Sequence, residues 1–149
     1  MITSTIEIAA PPAKVRDILL NFSAYPEWHT EWLKEIKVQD TTKTPQTLSD
    51  GDKIDVNIEN FKFVAEVKIT SQENTESLFS WQGPPVFTIA GLHKFHLEPA
   101  NDGASTVFTQ TEDLKGFLAF IMSPSLLGKK MAAHFDIFHR DLKARAEQA

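Results

Sequence analysis

Leu92-His93-Lys94-Phe95-His96-Leu97-Glu98, then Pro99-Ala100-Asn101-Asp102-Gly103, then Ser105-Thr106-Val107-Phe108-Thr109-Gln110-Thr111-Glu112-Asp113 is the stretch on which the fold turns. Residues 92–98 and 105–113 read as two strands, because large apolar side chains recur at every second position and strand side chains alternate between faces. Between them, Asn-Asp-Gly supplies residues that tolerate a left-handed backbone, a strong hairpin signal. The turn leaves two registers open. If Leu97 faces Phe108, then Phe95 faces Gln110 and His93 faces Glu112, all six on one face. Slipped by one residue, Leu97 faces Val107, His93 faces Thr111 and Glu112 turns away.

Upstream of this hairpin the period of two continues. Ile2, Ser4, Ile6 and Ile8 alternate with Thr3, Thr5 and Glu7, and Pro11-Pro12 ends that strand. Residues 36–38, 55–58, 61–70 and 77–83 supply four more strands. The clearest of these sets Phe61, Phe63, Ala65, Val67 and Ile69 against a largely charged opposite face. A helix is expected from Pro12 through Phe22, broken by Ser23-Ala24-Tyr25-Pro26. A second short helix is expected over residues 27–33, with Trp28 and Trp32 one turn apart. Downstream, Ser123-Pro124 reads as the cap and first turn of a long helix whose apolar stripe is Leu127, Met131, Phe135, Phe138 and Leu142. The order is strand, two short helices, six strands and a long helix, an α+β arrangement in one domain over residues 1–149.

At 149 residues the chain is the length of one domain, and a globule of this size buries roughly 68–70% of the surface its unfolded chain exposes. With 42% hydrophobic and 23% charged residues it has the composition of a folded domain, and its aromatics are skewed to 11 Phe and 3 Trp against 1 Tyr. A formal net charge of -5 with scattered basic residues argues against nucleic acid as a partner. The absence of cysteine removes disulfides, thiol nucleophiles and Cys-ligated zinc. The N-terminal residues carry no basic leader or long apolar run, and no stretch reaches the length of a membrane span. A cytoplasmic protein without integral membrane association is expected; the sequence leaves its oligomeric state open.

The opening Ile6-Glu7-Ile8-Ala9-Ala10-Pro11-Pro12 with Val15, followed by Tyr25-Pro26-Glu27-Trp28, resembles the N-terminal signature of the START-like, or SRPBCC, superfamily. Residues 91–99 with Gly103, Thr106, Gln110, Glu112 and Gly116 resemble the strand-turn-strand segment of its polyketide cyclase/dehydratase-like branch, and residues 142–147 fit its terminal helix. The resemblance implies a helix-grip fold, in which a curved antiparallel sheet of about seven strands wraps the last helix and encloses a cavity for hydrophobic or aromatic molecules. It fixes no reaction, since one fold hosts many functions. One departure is Trp28-His29-Thr30-Glu31-Trp32, where many relatives have Trp followed by Asn-Pro.

Candidate lining residues are Trp28, Phe63, Phe79, Trp81, Phe95, Phe108, Gln110, Phe120, Met131, Phe135 and Phe138. Plain core packing accounts for many of the same side chains, and Phe117, Phe120 and Met122 could close one end as a lid. In the first hairpin register His93 and Glu112 form an imidazole–carboxylate pair suited to acid–base work; otherwise both are ordinary wall and edge residues. Tyr25, His29 and Glu31 form a second polar group, or simply the solvent-facing side of a capping loop. His93 and His96 point to opposite faces of a strand, and His134 and His139 are about 500° apart around a helix, so no shared metal is expected. No metalloprotease, phosphate-loop or nucleophile-elbow motif occurs, and no cofactor is expected.

Three readings follow. The first is a binder or carrier of a small polyketide- or lipid-like molecule. The second is a cyclase- or dehydratase-type enzyme using His93 and Glu112. The third is a protein adaptor using a Trp28 and Trp32 patch. Burying ten CH₂ groups contributes about 8 kcal/mol, whereas association costs on the order of 4–15 kcal/mol. Selectivity must therefore come from a few polar groups set among apolar ones.

Overall fold

The computed structural model describes residues 2–58, 61–67, 78–82, 90–115 and 129–148. Within these, the side chains of residues 61, 63, 78, 90, 91, 114, 115 and 129–131 are described by backbone only. Seven strands form one antiparallel sheet: β1 (Ile2–Ile8), β2 (Leu33–Val38), β3 (Lys53–Ile58), β4 (Phe61–Val67), β5 (Leu78–Gln82), β6 (Ala90–Ala100) and β7 (Ser105–Lys115). Their spatial order is β1-β7-β6-β5-β4-β3-β2, a meander from β2 to β7 with β1 added beside β7. Helix α1 (Pro12–Leu20) and a 3₁₀ segment (Phe22–Glu27) join β1 to β2, and α2 (Lys129–Ala146) packs against β1 and α1. The curled sheet around a terminal helix is the expected helix-grip α+β fold.

Hairpin β6–β7 takes the first register: Leu97 pairs with Phe108, Phe95 with Gln110 and His93 with Glu112. At its tip Asn101 and Asp102 adopt positive φ, and Gly103 follows at φ +86°, as the Asn-Asp-Gly signal requires. Because neighbouring strands pair residue to residue, the inner face is built in rows. Trp81, His93, Glu112 and Ile2 make one row; Phe79, Phe95, Gln110 and Ser4 make the next; Leu97, Phe108 and Ile6 make a third. Helix α2 closes this face with Phe135, Phe138, His139, Leu142 and Ala146, all buried at spacings that keep one helical stripe inward. Each buried Phe contributes about 1.5–3 kcal/mol of apolar transfer free energy.

The far end of α2 is tied down by polar contacts. Lys143 donates to the Glu7 carbonyl at 3.0 Å, the Ala9 amide donates to Glu147 at 2.8 Å, and Lys14 donates to the Gln148 carbonyl at 2.7 Å. No helix among the described residues is long and apolar enough to cross a membrane.

The helix expected over residues 27–33 does not form. The chain instead makes its 3₁₀ segment at Phe22–Glu27, across the residues expected to break a helix, and Leu33 already begins β2. Pro26 is accommodated inside this tight segment, and the Tyr25 carbonyl accepts from the amides of both Trp28 and His29 to end it. Strands β6 and β7 each run two residues beyond their expected ends toward Lys115, and β6 passes through Pro99 to Ala100. The expected cap at Ser123-Pro124, stripe residue Leu127, lid residues Phe117, Phe120 and Met122, and the turns at 59–60 and 83–85 lie outside the described residues.

Candidate functional site

On the inner face the first two sheet rows bring polar groups together in an aromatic shell. The His93 Nδ1 contacts Glu112 Oε2, the Gln110 amide Nε2 lies 2.7 Å from His93 Nε2, and His139 Nε2 lies 2.9 Å from Gln110 Oε1. Glu112, His93, Gln110 and His139 thus form one buried chain of hydrogen bonds linking β6, β7 and α2. His93, Gln110 and His139 are at most 2% exposed, whereas Glu112 reaches 8% and is the accessible end. Such groups are costly to bury unless paired, and here each finds a partner.

Rings enclose the chain. Trp81 stacks on His93 at 4.8 Å between centroids, and Phe95, Phe135 and Trp32 meet the same imidazole at 4.9, 5.4 and 5.7 Å. Phe108 meets His139 edge-on at 5.0 Å, and Phe138 lies over Phe95 at 5.9 Å. Burial pushes the His139 imidazole down to about 4; the neighbouring Asp136 charge opposes this shift and His93 adds to it. The ring is therefore neutral at neutral pH.

Of the residues anticipated from sequence, Phe79, Trp81, Phe95, Phe108, Gln110, Phe135 and Phe138 all lie buried on this inner surface, packed against one another, and His93 meets Glu112. Trp28 is half-buried and packs on Tyr25 and Phe138. Phe63 and Met131 sit on β4 and α2, with side chains outside the described residues, and Phe120 lies outside them entirely. Three grooves lie on the exterior. One runs along β2 beside Phe22 and Pro45, one crosses the outer face at Asp55 and Lys62, and one lies between β1 and α2.

Two expectations are corrected. Tyr25 and His29 do not face solvent with Glu31: Tyr25 is 0% and His29 1% exposed, while Glu31 alone is exposed. The Tyr25 hydroxyl donates to the Leu19 carbonyl at 2.6 Å, and burial pushes its pKa up. His29 Nδ1 meets Asp141 Oδ2 at 2.7 Å, and its Nε2 accepts the backbone amides of Trp32 and Leu33 at 3.3 and 3.1 Å. Burial lowers the His29 pKa, opposed by the hydrogen bond and charge of Asp141 and the charge of Glu31. Nor do Trp28 and Trp32 make an exposed patch for a partner protein, because Trp32 is 3% exposed and reaches His93.

His139 is the residue that sequence reasoning missed. Its spacing in sequence relates it only to His134, whereas its hydrogen-bond partner, Gln110, lies 29 residues away across the sheet-to-helix interface. Among the described residues no group of three or more His, Asp or Glu is placed to hold a metal ion.

The family model for polyketide cyclase/dehydrase and lipid transport proteins matches residues 1–147. The chain belongs to this family. Solved structures agree on the fold. A START superfamily protein from Mycobacterium smegmatis is 20% identical with a TM-score of 0.71, covering 99% of this chain and 97% of that one. A hypothetical protein from Helicobacter pylori is 16% identical with a TM-score of 0.75, covering 97% and 86%. An aromatase/cyclase from a Streptomyces species is 11% identical with a TM-score of 0.66, covering 98% and 92%. A search of curated proteins found no significant match.

Proposed function

We propose that the chain binds a small hydrophobic or aromatic molecule, polyketide- or lipid-like, between the inner face of the sheet and α2. Phe79, Trp81, Phe95, Phe108, Phe135 and Phe138 supply the apolar surface, and the buried polar chain supplies orientation. The family's description and the aromatic lining both support this reading. The ligand approaches from the Glu112 end, where the chain of hydrogen bonds is most accessible.

The observation that carries binding ahead of catalysis is the saturation of His93. One ring nitrogen meets Glu112 and the other meets Gln110, so no lone pair or N–H is left for a bound molecule. A general base needs a free nitrogen within reach of the proton it removes. The second reading, a cyclase- or dehydratase-type enzyme, is favoured by the His93–Glu112 contact itself but requires Gln110 to move aside.

Native mass spectrometry of the purified chain tests the binding reading. The expected spectrum shows a small-molecule adduct that is lost under denaturing conditions, and a bare chain across mild conditions speaks against it. Given a candidate substrate, His93→Ala separates the two readings: an enzyme loses turnover, whereas a binder has none to lose and shows only altered affinity.

A further inference from the structure

The buried hydrogen-bond chain has a direction. A carboxylate only accepts, so His93 donates to Glu112 through Nδ1–H. A neutral imidazole carries one N–H, so its Nε2 is a lone pair, and that lone pair takes a hydrogen from the Gln110 amide nitrogen. The Gln110 oxygen at the other end also only accepts, so His139 presents Nε2–H to it. A single amide thereby holds two imidazoles in opposite tautomers.

We infer that Gln110 and His139 act together as positioning residues that keep the Nε2 lone pair of His93 occupied while Glu112 holds its Nδ1–H, so that His93 takes a second proton only when the Gln110 amide turns over. After reversal, the Gln110 oxygen accepts from a newly protonated His93 Nε2, and the amide nitrogen donates to His139 Nε2. His139 must then carry its proton on Nδ1. The net change is one proton taken from solvent onto His93 and one moved between the nitrogens of His139. Without reversal, the amide hydrogen would face an N–H inside a dry shell, leaving a buried donor unpaired.

The surroundings bear on this balance. Among the described residues His93 meets the Glu112 carboxylate on β7, the Gln110 amide and the rings of Trp32, Trp81, Phe95 and Phe135, and its charge acts on His139. On α2, Asp136 acts on His139, and Arg140 lines the same outer groove between β1 and the helix. His134 points elsewhere, against Trp32. The held-down pKa of His139 agrees with a neutral ring that keeps a single N–H. This inference concerns the protonation of the chain itself and holds with or without a ligand in the interior.

Two-bond ¹H–¹⁵N correlation spectra of the imidazole nitrogens in the full ¹⁵N-labelled chain test it, with His93 and His139 assigned through His93→Gln and His139→Gln. At pH 7.5 the expected pattern is Nδ1–H for His93 and Nε2–H for His139. The same tautomer in both rings, or Nε2–H on His93, overturns the inference. On acidification, the second N–H on His93 should appear over the same pH range as the tautomer change of His139. A His93 that gains its proton while His139 stays unchanged overturns the inference as well.

Variants add a readout that a merely structural role would not move. Gln110→Glu places acceptors toward both rings and should give a doubly protonated His93 at pH 7.5. His139→Leu, which frees the Gln110 amide to reverse, should raise the pH at which His93 gains its second N–H, and His139→Gln, which still donates to Gln110, should restore the wild-type range. A folded Gln110→Glu or His139→Leu chain with an unaltered His93 spectrum refutes the assignment. The wild-type spectra decide the matter alone if these variants do not fold.

Discussion

His29→Phe isolates a contact that ties the start of the sheet to the terminal helix. The substituted ring spans a similar space and can keep the edge contact with Phe138, which the imidazole makes at 4.9 Å. What it removes is hydrogen bonding: the acceptor shared by the Trp32 and Leu33 amides, and the donor to Asp141. Trp32 and Leu33 are 3% and 0% exposed, so water cannot readily replace the acceptor. Each buried donor left unpaired costs about 1–3 kcal/mol. Two of them, partly relieved by local relaxation, should lower stability by about 3 kcal/mol, or about 6–12 °C in Tm for a chain of this size. Asp141 is the control. Its side chain is 36% exposed, and Asp141→Asn keeps an oxygen facing Nδ1–H, so the loss should stay below about 1 kcal/mol. Urea unfolding with a common m-value measures both. A His29→Phe loss under about 1 kcal/mol, or one equalled by Asp141→Asn, would refute the claim that the paired backbone amides carry the effect.

Stability should fall on mild acidification, because burial lowers the pKa of His139 and of His29. The unfolded chain binds these protons first, so the stability is fully present above the unfolded histidine value and lost as pH drops toward the folded one. For His139, lowered to about 4, the loss between pH 7.5 and pH 5 is about 2 kcal/mol; urea midpoints at the two pH values measure it, and His139→Leu should flatten the dependence. Gly103→Ala should cost about 1 kcal/mol in chemical denaturation: φ is +86° and nothing lies within 4 Å of a built Cβ, so the penalty is conformational rather than steric. Phe138→Ala should cost about 3–5 kcal/mol, since the ring is 0% exposed and packs against Tyr25, Trp28, Trp32 and Phe95. A Phe138→Ala loss below about 2 kcal/mol would mean that the interior there is looser than the ring contacts indicate.

The parts legible from sequence were those whose information is local. Period-two alternation marked the strands, Asn101-Asp102-Gly103 marked the hairpin tip, and Phe135, Phe138 and Leu142 marked the inward stripe of α2. Register was legible only as two alternatives, because a one-residue slip leaves either set of partners sterically reasonable; the paired rows of the sheet select one. The expected helix over residues 27–33 failed for a related reason. Trp28 and Trp32 stand four apart, but their spacing serves a loop pinned by His29 rather than a helical face. The partners that bury His29 and His139 are Asp141 and Gln110, 112 and 29 residues away, and no local pattern announces such pairs.

The central claim, that the aromatic interior receives a small apolar molecule, is met most directly by titrating the purified chain with 1-naphthol while following tryptophan fluorescence. Trp81 and Trp32 both touch His93, so a molecule seated beside the polar chain should change their emission and saturate at one equivalent per chain. A linear, unsaturable response identical to that of free tryptophan would contradict it.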